Sequence, residues 1–144
     1  MGLSEQSNPQ AETTAVRTGP RQYAATSELG GELTIGFGPG EFTPGDLLKL
    51  AILGCNALSS EARFIAALGE DVKLDGSVTA DFSQEENRFT AFHVSLTPDL
   101  SGLDAEEREH LLDRAARAVQ RQCTISRTVE HGAKTDLEID GTAV

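Results

Sequence analysis

The feature that most constrains this chain is a stretch of apolar residues at positions 47–58, LLKLAILGCNAL. These residues are apolar on almost every face of a helix, and Lys49 and Asn56 are the only strongly polar members. A surface helix would show one apolar stripe, so this helix is predicted to lie inside the protein. The stretch is too short and too interrupted to span a bilayer.

The residues around this stretch predict where the central helix begins and ends. Thr43 is a typical N-cap, Pro44 suits the first helical turn, and Asp46 has the place of the acidic residue in a capping box. The helix is expected to continue with a more polar second half to about residue 68. Gly69 then ends it, as glycine commonly does at a helix C-terminus.

Short strands and a second helix are predicted for the rest of the chain. Turn residues separate segments of alternating or β-branched residues, as is typical of antiparallel strands. The predicted strands are residues 11–18, 22–27, 33–37, 72–82, 89–96, 127–130 and 135–139. An amphipathic helix is predicted over residues 105–122, and residues 123–126 are expected to add one helical turn.

The order βββ-α-ββ-α-ββ separates strands from helices instead of alternating them. It predicts an α+β fold with largely antiparallel sheets around the central helix, because parallel strands need crossover connections. A chain of 144 residues is long enough for one hydrophobic core. We therefore predict a flexible lead-in over residues 1–10 and a single domain over residues 11–144.

Composition argues against several classes of partner. The formal net charge of -11 and the absence of tryptophan disfavour binding to nucleic acid, which needs clustered cations or stacking aromatic residues. The same charge disfavours an anionic membrane surface. No segment resembles a signal peptide or a membrane span, so the chain is expected to be cytoplasmic.

The chemistry of the chain depends largely on its two cysteines, Cys55 and Cys123. In a reducing cytoplasm such a pair is more typical of free thiols or a redox couple than of a permanent disulfide. Cys55 on an apolar helix is most simply a buried small hydrophobe, and it lies about three turns from the helix N-terminus. A cation from elsewhere would be needed to make it reactive. Cys123 is either its partner or another core residue.

Other kinds of site have little support. The two cysteines and three histidines lack the spacing of metal ligands, so neither a metal nor a cofactor is predicted. No glycine-rich phosphate loop and no G-x-S-x-G sequence is present. Arg21 follows a Gly-Pro turn and could be an ordinary surface charge, while Asp46 is explained by capping but could also orient an arginine.

Three segments together resemble the OsmC/Ohr family of organic hydroperoxide resistance proteins. T-P-G-D-L-L at residues 43–48, followed by Gly54 and Cys55, resembles the N-P-E-x-L-F/L and A-A/G-C motifs of the family's central helix. C-T-I-S at residues 123–126 resembles its second motif, C-P-V-S. T-G-P-R at residues 18–21, with the glycines that follow, resembles its T-G-G-R segment. The resemblance covers about residues 16–139.

The family resemblance implies an intertwined homodimer and a thiol peroxidase that reduces organic hydroperoxides. It implies that Cys55 is the peroxidatic cysteine, that Cys123 resolves it as a disulfide, and that Arg21 stabilises the thiolate. A dithiol reductant such as a lipoylated protein would complete the cycle. The family's helix-opening glutamate falls on Gly45, so the partner of Arg21 is missing unless Asp46 replaces it. Thr124 also stands where the family has proline.

Two other interpretations remain open. One is a non-catalytic dimer of the same fold that binds a small apolar molecule, with both cysteines as core residues. The other is a thioesterase of the hotdog type, which also places a central helix in a sheet. That chemistry requires a carboxylate near the helix, and Asp46 is the available residue.

Overall fold

The computed structural model describes residues 10–144 and has an α+β architecture. Its elements are β1 (Thr14–Gly19), β2 (Gln22–Thr26), β3 (Glu32–Ile35), α1 (Pro44–Leu68), β4 (Leu74–Ser83), β5 (Arg88–Pro98), α2 (Ala105–Gln122), α3 (Thr124–His131), β6 (Glu138–Ile139) and β7 (Thr142–Ala143). All strand pairs are antiparallel, in the sheets β1-β2-β3, β4-β5 and β6-β7. The predicted lead-in lies outside the described residues, apart from its last residue.

The central helix α1 has the predicted ends. The Thr43 hydroxyl accepts from the Asp46 amide, and the Asp46 carboxylate accepts from the Thr43 amide, both at 3.0 Å. These two bonds satisfy amides that the helix itself leaves unpaired. At the other end Gly69 has a φ of 97°, a conformation that favours glycine.

The β4-β5 hairpin departs from the predicted unbroken alternation. Asp81 pairs with Ala91 but Phe82 pairs with Phe89, so Thr90 is an extra residue in β5. Such a bulge shifts the alternation by one position. Phe89, which pairs with Phe82, and Phe92, which pairs with Ala80, are both half-buried. Unbroken alternation over the predicted strand 89–96 would place Phe89 and Phe92 on opposite faces, whereas the bulge leaves their ring centres 5.4 Å apart.

The predicted strand at residues 127–130 is wrong, because this segment belongs to α3. Its Thr128 and Val129 are β-branched, which favoured a strand in the sequence. The helix instead packs against α1 and ends before Gly132, which has a φ of 77°. The closing hairpin joins β6 to β7 around Asp140-Gly141, an Asp-Gly turn with positive φ at both residues.

The core joins α1 to α2. Phe64, Leu111 and Ala115 form a buried cluster. The residues of α1 that are buried share one face and are Ile52, Cys55, Ser59, Ser60 and Phe64. No helix within residues 10–144 is long and apolar enough to cross a membrane.

The sequence predicted that the central helix lies inside the protein, but the described residues of one chain do not cover the helix on every side. Leu50 and Leu58 are 43% and 55% exposed. Within the described residues, β1-β3 makes few contacts with the helices. Val16 on β1 is 67% exposed, and Phe37 in the loop after β3 is 65% exposed. The apolar side chains on the helix and on the sheet therefore both remain open to solvent.

Candidate active site around two cysteines

The fold brings the two cysteines together from distant parts of the sequence. Cys55 lies in the middle of α1, and Cys123 lies between α2 and α3. Both are free thiols, with exposures of 1% and 0%, and each perturbs the pKa of the other. Two adjacent thiols can form a disulfide, which is the simplest chemistry of this arrangement.

Cys123 caps the N-terminus of α3. Its Sγ accepts a hydrogen bond from the backbone amide of Ser126 at 3.3 Å, as a serine or aspartate oxygen would at an N-cap. The Ser126 hydroxyl lies 3.1 Å from the same sulfur. The break between α2 and α3 thus places a sulfur where helix amides point outwards.

Asn56 connects α1 to this cap. Its Nδ2 lies 3.0 Å from the Ile52 carbonyl, 3.0 Å from the Ser126 hydroxyl and 3.4 Å from Cys123 Sγ. A carbonyl oxygen can only accept, so the Asn56 atom beside Ile52 must be the amide nitrogen. Asn56 therefore presents an N–H group to Ser126 and Cys123.

These surroundings separate the pKa values of the two thiols. Burial raises the pKa of Cys123, but Cys55, Ser126 and Asn56 lower it more, so it lies below that of an ordinary thiol. Burial and the interaction with Cys123 raise the pKa of Cys55 above its ordinary value.

Arg21 and Asp46 do not join the cysteines within residues 10–144. Arg21 lies in the β1-β2 turn, where its guanidinium stacks 4.7 Å from the ring centre of Phe37. Asp46 is held by Thr43 and lies 3.5 Å from Lys49. The ion pair by which Asp46 would replace the family's glutamate is not formed within residues 10–144.

Phe89 occupies the space beside Gly45, where the family has its glutamate. A Cβ added at Gly45 would lie 2.9 Å from Cζ of Phe89. The ring is also held from both sides, with Phe82 and Phe92 each 5.4 Å away between ring centres. A side chain at Gly45 would therefore require the aromatic cluster to move.

Gly45→Ala is expected to lower the free energy of unfolding by about 1–2 kcal/mol, because overpacking outweighs the better helix propensity of alanine. Gly54→Ala is the matched control on the same helix, since its added Cβ meets nothing within 4 Å. It should be neutral or stabilising. Urea unfolding of both variants measures the difference, and equal midpoints would contradict the steric role of Phe89.

Asp46 should make the stability of the protein depend on pH. The backbone amide and then the side chain of Thr43 lower the pKa of Asp46. Its contribution to stability is therefore present above the unfolded-state pKa of about 4 and is lost as pH falls through the folded-state pKa. The urea midpoint should fall less between neutral pH and about pH 3 in Asp46→Asn than in the parent protein. Parallel pH profiles would contradict this role.

A cavity of about 550 Å³ lies beside the cysteine pair. Apolar side chains of α1, β5 and α3 form much of its lining, and Arg88 and Glu130 are its charged members. Asn56 and Ser126 also line it, and both contact Cys123 Sγ. The cavity is thus separated from the sulfur by one layer of polar side chains.

The part of the chain that the structure describes has no candidate metal site to set beside the cysteine pair. Within residues 10–144, no group of three or more His, Cys, Asp or Glu side chains is placed to hold a metal ion.

Sequence reasoning did not identify Asn56, Ser126 or Phe89 as parts of this site. Asn56 did carry a signal, because a polar side chain in an otherwise apolar helix must find a hydrogen-bond partner. Ser126 lies three residues after Cys123, the spacing between an N-cap and the residue whose amide it receives. For Phe89 the sequence carried no signal, since the bulge that places its ring depends on strand pairing.

Residues 37–138 match the family model of OsmC-like protein. An uncharacterized protein of Mycobacterium tuberculosis is 34% identical over 125 residues, which cover 85% of this chain and 91% of that protein. The structure of an OsmC-like protein from Mycoplasma pneumoniae aligns with a TM-score of 0.58 at 18% identity, covering 86% of this chain and 89% of that one. The structure of the organic hydroperoxide resistance protein OhrB of Bacillus subtilis aligns with a TM-score of 0.51 at 19% identity, covering 82% of this chain and 90% of that one. These two structures share the fold of this chain.

Proposed function

The chain belongs to the OsmC-like protein family, and from this premise we propose that it is a thiol-dependent peroxidase that reduces organic hydroperoxides. The observation that carries the proposal is the contact between Cys55 and Cys123, which lie 68 positions apart in the sequence and are adjacent in the fold. The Bacillus subtilis protein of the same fold is named for organic hydroperoxide resistance, and this name supports the same chemistry.

The proposed cycle uses both sulfurs. One thiolate attacks the peroxide, the O–O bond breaks, and the sulfur becomes a sulfenic acid while the organic part leaves as an alcohol. The second sulfur then displaces hydroxide and closes a disulfide. The family resemblance gives the first attack to Cys55 and the second to Cys123. A dithiol such as a lipoylated protein would return the pair to thiols in the cytoplasm.

The cavity has room for an organic substrate. Its volume of about 550 Å³ falls within the range of small-molecule sites, and Ile52, Phe92 and Val94 are among its apolar side chains. An alkyl or aryl hydroperoxide would bury its apolar part there. Its peroxide group would face Asn56 and Ser126.

The proposal includes a homodimer. The apolar surface left exposed on α1 and on β1-β3 would be covered by the same surfaces of a second chain, since like surfaces meet in a symmetric dimer. Arg21 contacts neither cysteine within one chain, so we assign its thiolate-stabilising role to the assembled dimer. Light scattering coupled to size-exclusion chromatography should give twice the monomer mass of 15.3 kDa. A monomer at micromolar concentration would contradict this part of the proposal.

The experiment that tests the proposal counts free thiols by mass spectrometry before and after one equivalent of cumene hydroperoxide. We expect both thiols to be lost rapidly and a single peptide pair, linked through Cys55 and Cys123, to be recovered. Cys55→Ser is the control, since it cannot form this link. Survival of both thiols would contradict the peroxidase.

Survival of both thiols would favour the second candidate, a binding protein for a small apolar ligand. The observation behind that candidate is the burial of both cysteine residues, which are 1% and 0% exposed. A thioesterase has less support, because the Asp46 carboxylate is occupied by Thr43 and Lys49 at the start of α1.

A further inference from the structure

We propose that Phe89 is the residue that sets the substrate preference, because its ring and that of Phe92 form an aromatic wall of the cavity that binds the aryl group of an aryl hydroperoxide. The preference in turnover rests on the proposed function. Binding of the aryl group does not rest on it, because the cavity and its aromatic wall exist without any reaction at the cysteines.

The bulge in β5 places both rings on one face of the strand. Residues three positions apart in an unbroken strand point to opposite faces. Thr90 is the extra residue of the bulge, and Phe89 pairs with Phe82 of β4. Phe92 pairs with Ala80, two residues away on the same strand, so the partners of these two positions share a face. Phe89 and Phe92 both line the cavity, with their ring planes tilted by 40°.

Three neighbours hold the ring of Phe89 in place. Phe82 meets it edge to face, with an angle of 72° between the ring planes, and Phe92 lies 5.4 Å away between ring centres. The tip of the ring lies against the first turn of α1, where Gly45 has no side chain and an added Cβ would lie 2.9 Å from Cζ. A ring held in this way gives a ligand a preformed surface, so little conformational entropy is lost on binding.

An aryl group is the organic group that two tilted aromatic rings recognise best. Aromatic rings attract each other beyond their buried area when their centres lie about 4.5–7 Å apart in offset or edge-to-face arrangements. The cavity of about 550 Å³ has room for a third ring beside the aromatic wall. A saturated ring of the same shape would gain from burial alone.

The charged residues of the cavity favour a neutral organic group. Arg88 and Glu130 are the charged members of the described lining. Nη2 of Arg88 lies 3.1 Å from the carboxylate of Glu86, so the one cation of this lining already has a partner. Glu130 would repel a ligand that carries a carboxylate. A phenyl group brings no charge into the cavity.

The polar residues of the cavity come from other elements than the aromatic wall. Asn56 on α1 and Ser126 on α3 line the cavity, and both contact Cys123 Sγ. An aryl hydroperoxide with its ring against β5 would therefore turn its peroxide group towards the helices that carry the two cysteines.

Binding is tested with two unreactive ligands, cumyl alcohol and the alcohol in which cyclohexyl replaces its phenyl ring. Both are titrated into the reduced parent protein, and NMR follows the methyl groups of Ile52, Val94 and Val129, which line the cavity. The cyclohexyl group has the larger apolar surface, so burial alone would favour it. We expect cumyl alcohol to bind about fivefold more tightly, because its ring alone gains the aromatic contact. Equal binding, tighter binding of the cyclohexyl alcohol, or unmoved methyl resonances with both would overturn the proposal.

Phe89→Leu tests the residue itself. Phe82→Leu is the matched control, since the ring of Phe82 contacts that of Phe89 from outside the described lining of the cavity. The preference for cumyl alcohol should disappear in Phe89→Leu and persist in Phe82→Leu. A preference that Phe89→Leu keeps, or that both variants lose equally, would overturn the role of Phe89. If Phe89→Leu does not fold, Phe92→Leu tests the second ring, and a preference kept there would overturn the aromatic wall.

The consequence for turnover is measured as the ratio of kcat/KM for cumene hydroperoxide to kcat/KM for tert-butyl hydroperoxide. This ratio should be about fivefold lower in Phe89→Leu than in the parent protein, and Phe82→Leu should keep the parent ratio. Equal ratios in Phe89→Leu and the parent would overturn the preference in turnover. Absence of turnover with both hydroperoxides, together with tighter binding of cumyl alcohol, would contradict the proposed function and support the aryl site.

Discussion

Replacing either cysteine with serine should reduce multiple-turnover peroxide consumption to the background rate. The cycle needs one sulfur to attack the peroxide and a second to release hydroxide, and a serine oxygen can do neither at neutral pH. A loss of at least about a hundredfold is expected, equivalent to nearly 3 kcal/mol of transition-state stabilisation. The assay is consumption of cumene hydroperoxide with a dithiol reductant in excess.

The two variants should differ within the first turnover. Cys123→Ser should consume about one equivalent of peroxide and stop at a sulfenic acid on Cys55, since the resolving sulfur is missing. Cys55→Ser should react slowly from the start, because it lacks the sulfur to which the proposed cycle gives the first attack. Ser60→Ala is expected to turn over normally. Parent-like turnover in both cysteine variants would show that the sulfurs are core residues.

Phe64→Ala should produce the largest loss of stability, about 3–5 kcal/mol. Phe64 is 2% exposed and forms the α1 side of the core cluster with Leu111 and Ala115. Removing the ring loses its buried apolar area and leaves a cavity that two packed helices cannot easily close. The free energy of unfolding of a whole domain is about 5–15 kcal/mol, so the variant would be marginally folded.

The measurement is urea unfolding at one protein concentration, because the proposed dimer would unfold at a concentration-dependent midpoint. Leu112→Ala is the matched control, since Leu112 neighbours Leu111 on α2 but is 45% exposed. It should change stability by less than about 0.5 kcal/mol. Similar midpoints for the two variants would show that the α1-α2 core does not limit stability.

The local features of the fold could be predicted from the sequence. Thr43, Asp46 and Gly69 predicted both ends of α1, and the structure confirms them. The bounds of α2 were also predicted, because its apolar residues recur with the helical period. In these segments the neighbouring residues that decide the structure are close in sequence.

The errors arose where distant residues decide the structure. Residues 127–130 favoured a strand by their β-branched side chains, but packing on α1 makes them part of α3. The bulge at Thr90 depends on how β5 pairs with β4, which no local pattern records.

The sequence by itself determined the order of the elements as far as α2, the central helix and the presence of two cysteines. Only the tertiary structure decided that the two sulfurs meet and that Asn56 and Ser126 surround Cys123. It also left Arg21 and Asp46 apart within one chain. The physical reason is that helix caps and periodicity act over a few residues, whereas the pKa of a buried thiol depends on groups that α1 and α3 bring together.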